Sequence, residues 1–263
     1  MKVKIKQKVP RIYFLPSLFT LTNLFFGFLS LTSTFYGKYR WAALWIILAA
    51  SLDGLDGLVA RATKTTSDFG LQLDSLADAV SFAASTGLLI YFWGLKTAGH
   101  AGVFFSFLFV AAGLLRLARY NIRSKSMPDR RYYQGLTVPS AAIFMASLVI
   151  FHPAPNYERP TAIYLAGLVL VVSFLMVSTL RYRNFITLFI NRPIDIKSTL
   201  LLAVIIAGLI FKPRYFLLAF FTGNVLYGPV DFLVMKIRKK SSAKKVVSES
   251  TLPGASPKSS AKS

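Results

Sequence analysis

Ten residues of this 263-residue chain are acidic, and five of them, Asp53, Asp56, Asp68, Asp74 and Asp78, fall within one 26-residue stretch. Asp53 and Asp56 stand three apart, and Asp74 and Asp78 four apart, so on helices each pair projects from one face. Four carboxylates gathered together repel one another unless something cationic sits among them. Cysteine is absent, and the two histidines, His100 and His152, lie outside the stretch. The donors are therefore all oxygen, a set that suits Mg2+ or Mn2+ and, less well, Ca2+. Zinc lacks its usual ligands here. Two ions about 3.5 to 4 Å apart form a clamp for displacement at phosphorus, so chemistry on a phosphoryl group is the expectation.

The residues between the acids have two readings each. Gly54, Gly57, Ala60 and Gly70 remove bulk where a ligand or a neighbouring helix would approach, although small residues in membrane helices also serve plain packing. Arg61 and Lys64 place positive charge where phosphate oxygens would need partners, and equally they mark the cytoplasmic end of a membrane span. The stretch from Thr63 to Asp68 is short and polar enough for a tight antiparallel turn, with Asp68 a solvated loop acid. Two carboxylate pairs would then face each other across a helix hairpin.

The elements that must hold these acids are membrane helices. The chain is 54% hydrophobic and 16% charged, with a mean hydropathy of +0.54, a balance that favours the bilayer over water as solvent. Runs of the length a bilayer requires predict eight spans in an all-α polytopic fold, near 15–36, 41–61, 71–95, 101–121, 136–152, 160–180, 198–211 and 214–235. The net charge of +21 is distributed by side and does not form a nucleic-acid patch. With the N-terminus cytoplasmic, 25 of the 31 basic residues fall on the cytoplasmic side, in accord with the positive-inside rule. Residues 1–14 then form a basic cytoplasmic N-terminus ahead of an uncleaved first helix, 15–235 the membrane domain, and 236–263 a disordered basic tail near anionic headgroups.

A carboxylate inside a membrane helix costs about 2.5–3.5 kcal/mol on insertion scales. Purely structural ion pairs would need basic partners within the same spans, and the sequence places none there. An ion or proton transporter also keeps carboxylates in its helices. In this chain, however, all four gather at one edge, and no acidic or histidine relay continues toward the other face.

Read in full, Asp53-x2-Asp56-Gly57-x2-Ala60-Arg61-x8-Gly70-x3-Asp74-x3-Asp78 resembles the complete signature of the CDP-alcohol phosphatidyltransferases. The segments 71–82, 116–121, 133–140 and 176–178 are similar to those of the family's phosphatidylserine synthase branch, with Thr137 where a proline is usual and Ala83–Thr86 in place of a Gly-x-Ala-Pro run. The resemblance implies metal-dependent transfer of a phosphatidyl group from CDP-diacylglycerol to L-serine, within the membrane and commonly in a homodimer. Glycerol-3-phosphate or inositol phosphate as acceptor, and an archaeal lipid as donor, are the alternatives. It further implies that Asp53, Asp56, Asp74 and Asp78 hold Mn2+ or Mg2+, as two ions, and that Asp78 is also the general base. Gly57, Ala60, Arg61 and Gly70 would lie along the nucleotide and its phosphates. Arg116 or Arg119 would meet the carboxylate of serine, or else serve as topology determinants and lipid contacts. Asn23 and Asn121, polar residues in or near apolar spans, read either as interhelical hydrogen bonds or as substrate contacts.

Overall fold

The computed structural model describes residues 14–63, 68–124, 132–155, 158–183, 208 and 211–250. Helix α1 (Phe14–Phe35) packs along α2 (Tyr39–Thr63). A long third rod follows: α3 (Asp68–Asp78), a π-helical turn (Ala79–Ala84), α4 (Ser85–Ile90), a second π-helical turn (Tyr91–Leu95) and a 3-10 turn (Lys96–Ala98). Then come α5 (His100–Ser124), β1 (Tyr132–Gln134), α6 (Val138–Phe151), α7 (Arg159–Val177), β2 (Arg181–Arg183) and α8 (Pro213–Ser250).

The all-α membrane architecture is as the hydropathy predicts. Among the described residues, Leu18–Phe35, Phe69–Ala98, His100–Ile122, Arg159–Val177 and Pro213–Ile237 are long and apolar enough to cross a bilayer. Helix α2 is 25 residues long and carries the charged motif, whereas α6, with 14 residues, is shorter than the predicted 136–152 span. At 1.5 Å per residue α6 reaches only about 21 Å. Its start is set by Thr137, whose hydroxyl oxygen accepts the backbone N–H of Ser140 (3.3 Å), with Pro139 in the first turn. Almost all of the predicted span 198–211, and most of the N-terminal segment, lie outside the described residues.

Two findings depart from the sequence reading. Helix α8 runs on to Ser250, past residue 236 where a disordered tail was expected to begin. The residues there are mostly compatible with a helix, and the first proline beyond the Ser241 region is Pro253. Second, β1 and β2 pair antiparallel, with Tyr133 opposite Tyr182, a ribbon too short to leave a period-2 pattern.

Helix α1 is apolar on the outside and small or polar on its buried face. On α1 the lipid-facing positions Leu18, Leu21, Phe25 and Phe28 are exposed, while Thr20, Asn23, Gly27, Ser30 and Thr34, spaced 3-4-3-4, are buried. With lipid as solvent, close backbone approach and interhelical hydrogen bonds hold helices together, which favours this inverted pattern. The buried face of α2 runs Ala42, Ile46, Ala49 and then, one turn on, Asp53. Helix α8 is fastened by Tyr182, whose hydroxyl donates to the Val225 carbonyl (3.1 Å). That carbonyl has no donor four residues on, because residue 229 is proline, inside the helix. Gly228 admits the ring: a Cβ there would lie 2.6 Å from the Tyr182 hydroxyl oxygen.

Candidate metal centre and active site

The end of α2 and the start of α3 are separated by only four residues, 64–67, where the expected polar turn lies outside the described residues, and carboxylates of both helices meet. Asp53 comes from the packed face of α2. Asp74 and Asp78 come from successive turns of α3, with Gly70 one turn earlier on the same face. One carboxylate oxygen from each of Asp53, Asp74 and Asp78 lies within 4.8 Å of the others. Asp56, Gly57, Ala60 and Arg61 continue α2 through the site, and their side chains fall outside the described residues. Asp68, read as a loop acid, is the first residue of α3.

The donor set fits a hard divalent cation. Asp74 Oδ1 is buried and has no hydrogen-bond partner, which is costly for a charged oxygen unless a cation completes it. Asp78 is 8% exposed and takes a hydrogen bond from Asn23 Nδ2 of α1 at 3.2 Å. Since an ionised carboxylate can only accept, the nitrogen end of the Asn23 amide is the one that faces it.

Three contacts fix the frame around these acids. Ser81, three residues after Asp78 and within the π-helical turn, donates its hydroxyl to the Asn23 carbonyl (3.0 Å). Ser75 meets Asn121 of α5, whose Nδ2 donates to its hydroxyl oxygen at 2.8 Å. Further along, a Cβ on Gly113 would lie 3.0 Å from the Cβ of Ala83. These last two pairs set an antiparallel register that brings Arg116, 7% exposed, level with the turn that follows Asp78. The Arg116 guanidinium carbon lies 5.9 Å from the centre of the Tyr120 ring.

Arg119 points elsewhere. Its Nη1 donates to the Val177 carbonyl (2.6 Å), and its Nη2 donates to the carbonyls of Met176 (3.2 Å), Ser178 (3.1 Å) and Gln134 (3.3 Å). A planar cation at the carboxyl end of α7 satisfies its unpaired carbonyls and complements its dipole. Asn23 and Asn121 each make the interhelical hydrogen bond that the sequence allows. What the sequence did not indicate is that the Asn23 bond ends on a motif aspartate; the 3-4-3-4 stripe of small and polar residues on α1 is the signal that could have pointed there.

Apolar helices of membrane-spanning length, with carboxylates of two neighbouring helices clustered together, define a polytopic membrane protein with an all-oxygen donor set that suits a divalent cation. The chain belongs to the CDP-alcohol phosphatidyltransferase family, whose model matches residues 13–179. It is similar to a CDP-diacylglycerol–serine O-phosphatidyltransferase of Helicobacter pylori strain J99, 34% identical across 86% of this chain and 94% of that protein. A protein of the same name from Bacillus subtilis strain 168 is 30% identical across 65% of this chain and 91% of its own length. An archaetidylserine synthase of Methanothermobacter thermautotrophicus is 31% identical, covering 67% of this chain and 72% of that protein.

Proposed function

We propose that this chain transfers the phosphatidyl group of CDP-diacylglycerol to the hydroxyl of L-serine, giving phosphatidylserine and CMP. The meeting of Asp53, Asp74 and Asp78 oxygens within 4.8 Å carries the chemical part of this reading. The serine part rests on relatives named for that reaction, the first of them aligned over nearly its whole length. Asp53, Asp56, Asp74 and Asp78 would hold Mn2+ or Mg2+, as two ions. When bound, these ions supply charge neutralisation at the diphosphate and at the leaving CMP.

The chain's own residues do the rest. The Asp78 carboxylate takes the proton of the serine hydroxyl as the new O–P bond forms and the bond from phosphorus to the CMP oxygen breaks. Gly57, Ala60 and Gly70 leave room for the nucleotide along the two motif helices, and Arg61 donates to phosphate. Arg116, buried beside the turn after Asp78, is the better placed of the two arginines for the serine carboxylate, because Arg119 is committed to the end of α7. The site faces the cytoplasm and both termini lie on that side, a reading supported by the distribution of basic residues.

Purified protein in detergent–lipid micelles, given CDP-diacylglycerol, labelled serine and Mn2+ or Mg2+, should form labelled phosphatidylserine and release CMP. Competition with glycerol-3-phosphate or inositol phosphate should leave serine the preferred acceptor. CMP release that needs neither an alcohol nor a metal would overturn the reading.

A further inference from the structure

A carboxylate that must both stand among metal ligands and receive a proton has to be held in one orientation. Neither its own backbone nor its neighbouring carboxylates provide this, since like charges push it aside. In this molecule one orienting group comes from α1, outside the motif. Asn23 is completely buried, and its Nδ2 reaches Asp78 Oδ1 at 3.2 Å.

The amide is itself fixed from behind. Ser81 donates to the Asn23 main-chain carbonyl at 3.0 Å. One turn further along α1, Gly27 lets the two backbones meet, since a Cβ on it would lie 2.5 Å from the Ser81 Cα. Asp78 and Ser81 are three apart on one helix, and Asn23 and Gly27 four apart on the other. The two helices are thus clamped at two adjacent points with the amide between them. Asn23 Oδ1 is buried and has no hydrogen-bond partner. An amide kept only to join two helices would be a poor choice, because half of it goes unsatisfied.

We infer that Asn23 is a positioning residue for the reaction: its amide N–H holds one oxygen of Asp78 and so aims the other at the acceptor hydroxyl. This rests on the transferase reading and deepens it. An inactive wild-type protein would count against that reading, whereas an active wild type with unaltered Asn23 variants would count against this inference alone.

The test compares Asn23→Ala and the isosteric Asn23→Asp, which lacks the N–H, with wild type in the serine assay. Alongside it, Mn2+ binding is followed by electron paramagnetic resonance and thermal unfolding is measured in detergent. For both variants kcat should fall on the order of 10- to 100-fold, the cost of a misaimed group, with both substrate KM values within about threefold of wild type. For Asn23→Ala, Mn2+ affinity should also remain within about threefold. A kcat close to wild type in a folded variant overturns the inference. So does a loss explained by lower melting temperature together with raised KM for both substrates, or a collapse of Mn2+ affinity in Asn23→Ala. Should Asn23→Ala not accumulate, Asn23→Leu, which preserves volume, adds no charge and lacks the N–H, decides by the same kcat, KM and Mn2+ readouts.

Discussion

Gly27 of α1 and Ser81 of the third rod stand backbone to backbone: a methyl group on Gly27 would sit 2.5 Å from the Ser81 Cα. Main-chain atoms cannot swing aside as the end of a flexible side chain can, so α1 itself must move to accommodate it. Gly27→Ala should therefore destabilise the fold by about 1–3 kcal/mol, the usual cost of overpacking. Because the displacement acts beside Asp78, activity should fall by more than the loss of folded protein explains. Melting in detergent set against specific activity per folded molecule checks this, and an unchanged specific activity would separate the Gly27 contact from the site.

The motif aspartates should divide by role. Asp74 has a buried oxygen without a partner, so Asp74→Asn removes charge where a cation is most needed. Mn2+ binding and turnover should both be lost, as they should in Asp53→Asn and Asp56→Ala. Asp78→Asn should keep measurable Mn2+ binding while turnover drops by about 10^2- to 10^4-fold, the range for a missing general base. Chelation with EDTA should silence the wild type, and added Mn2+ or Mg2+ should restore it. Wild-type activity in any of the four variants would remove the assigned role.

Arg119 allows a sharper division between structure and substrate. Its fork reaches three successive carbonyls, those of Met176, Val177 and Ser178. Gly135, at φ 74°, passes beneath it, and a Cβ there would lie 2.9 Å from Nη2 and 2.8 Å from the Ser178 carbonyl. Lysine keeps the charge but cannot reproduce the fork. Arg119→Lys should lower stability by about 1.5–3 kcal/mol, the range for hydrogen bonds to a charged group, with the KM for serine within about twofold of wild type. A raised serine KM at unchanged melting temperature would instead assign Arg119 to the acceptor.

How much of this was legible beforehand follows from what fixes each feature. The carboxylate cluster is local: its members lie on two helices joined by a four-residue connection, so spacing alone brings Asp53, Asp74 and Asp78 together. The contribution of α1 is not local, because Asn23 and Asp78 are 55 residues apart. A polar residue in an apolar run announces a partner without naming it. The π-helical turn after Asp78 leaves no periodic signature, and it carries Ser81. Hydropathy delimited the described spans to within a few residues, α6 among them, and did worst on α8, which continues beyond residue 235 to Ser250 on polar but helix-compatible residues that no apolar run marks.

The same kind of dependence makes Tyr182 testable through pH. Proline at 229 leaves the Val225 carbonyl without its helical donor, and the Tyr182 hydroxyl takes that place at 3.1 Å. Burial pushes the Tyr182 pKa up from 10.0 to about 12. Because the folded-state value lies above the unfolded one, the neutral phenol's contribution is complete below about pH 10 and declines as pH rises toward about 12. Tyr182→Phe should cost about 1–3 kcal/mol at neutral pH by orphaning the carbonyl. The gap in melting temperature between wild type and this variant should then narrow over that alkaline window, since phenylalanine has no proton to lose. Every other ionisable side chain is common to the two proteins, so the difference between the two curves isolates residue 182. A gap that stays constant from neutral pH to about pH 12 would show that the hydroxyl is not what secures α8 to the ribbon.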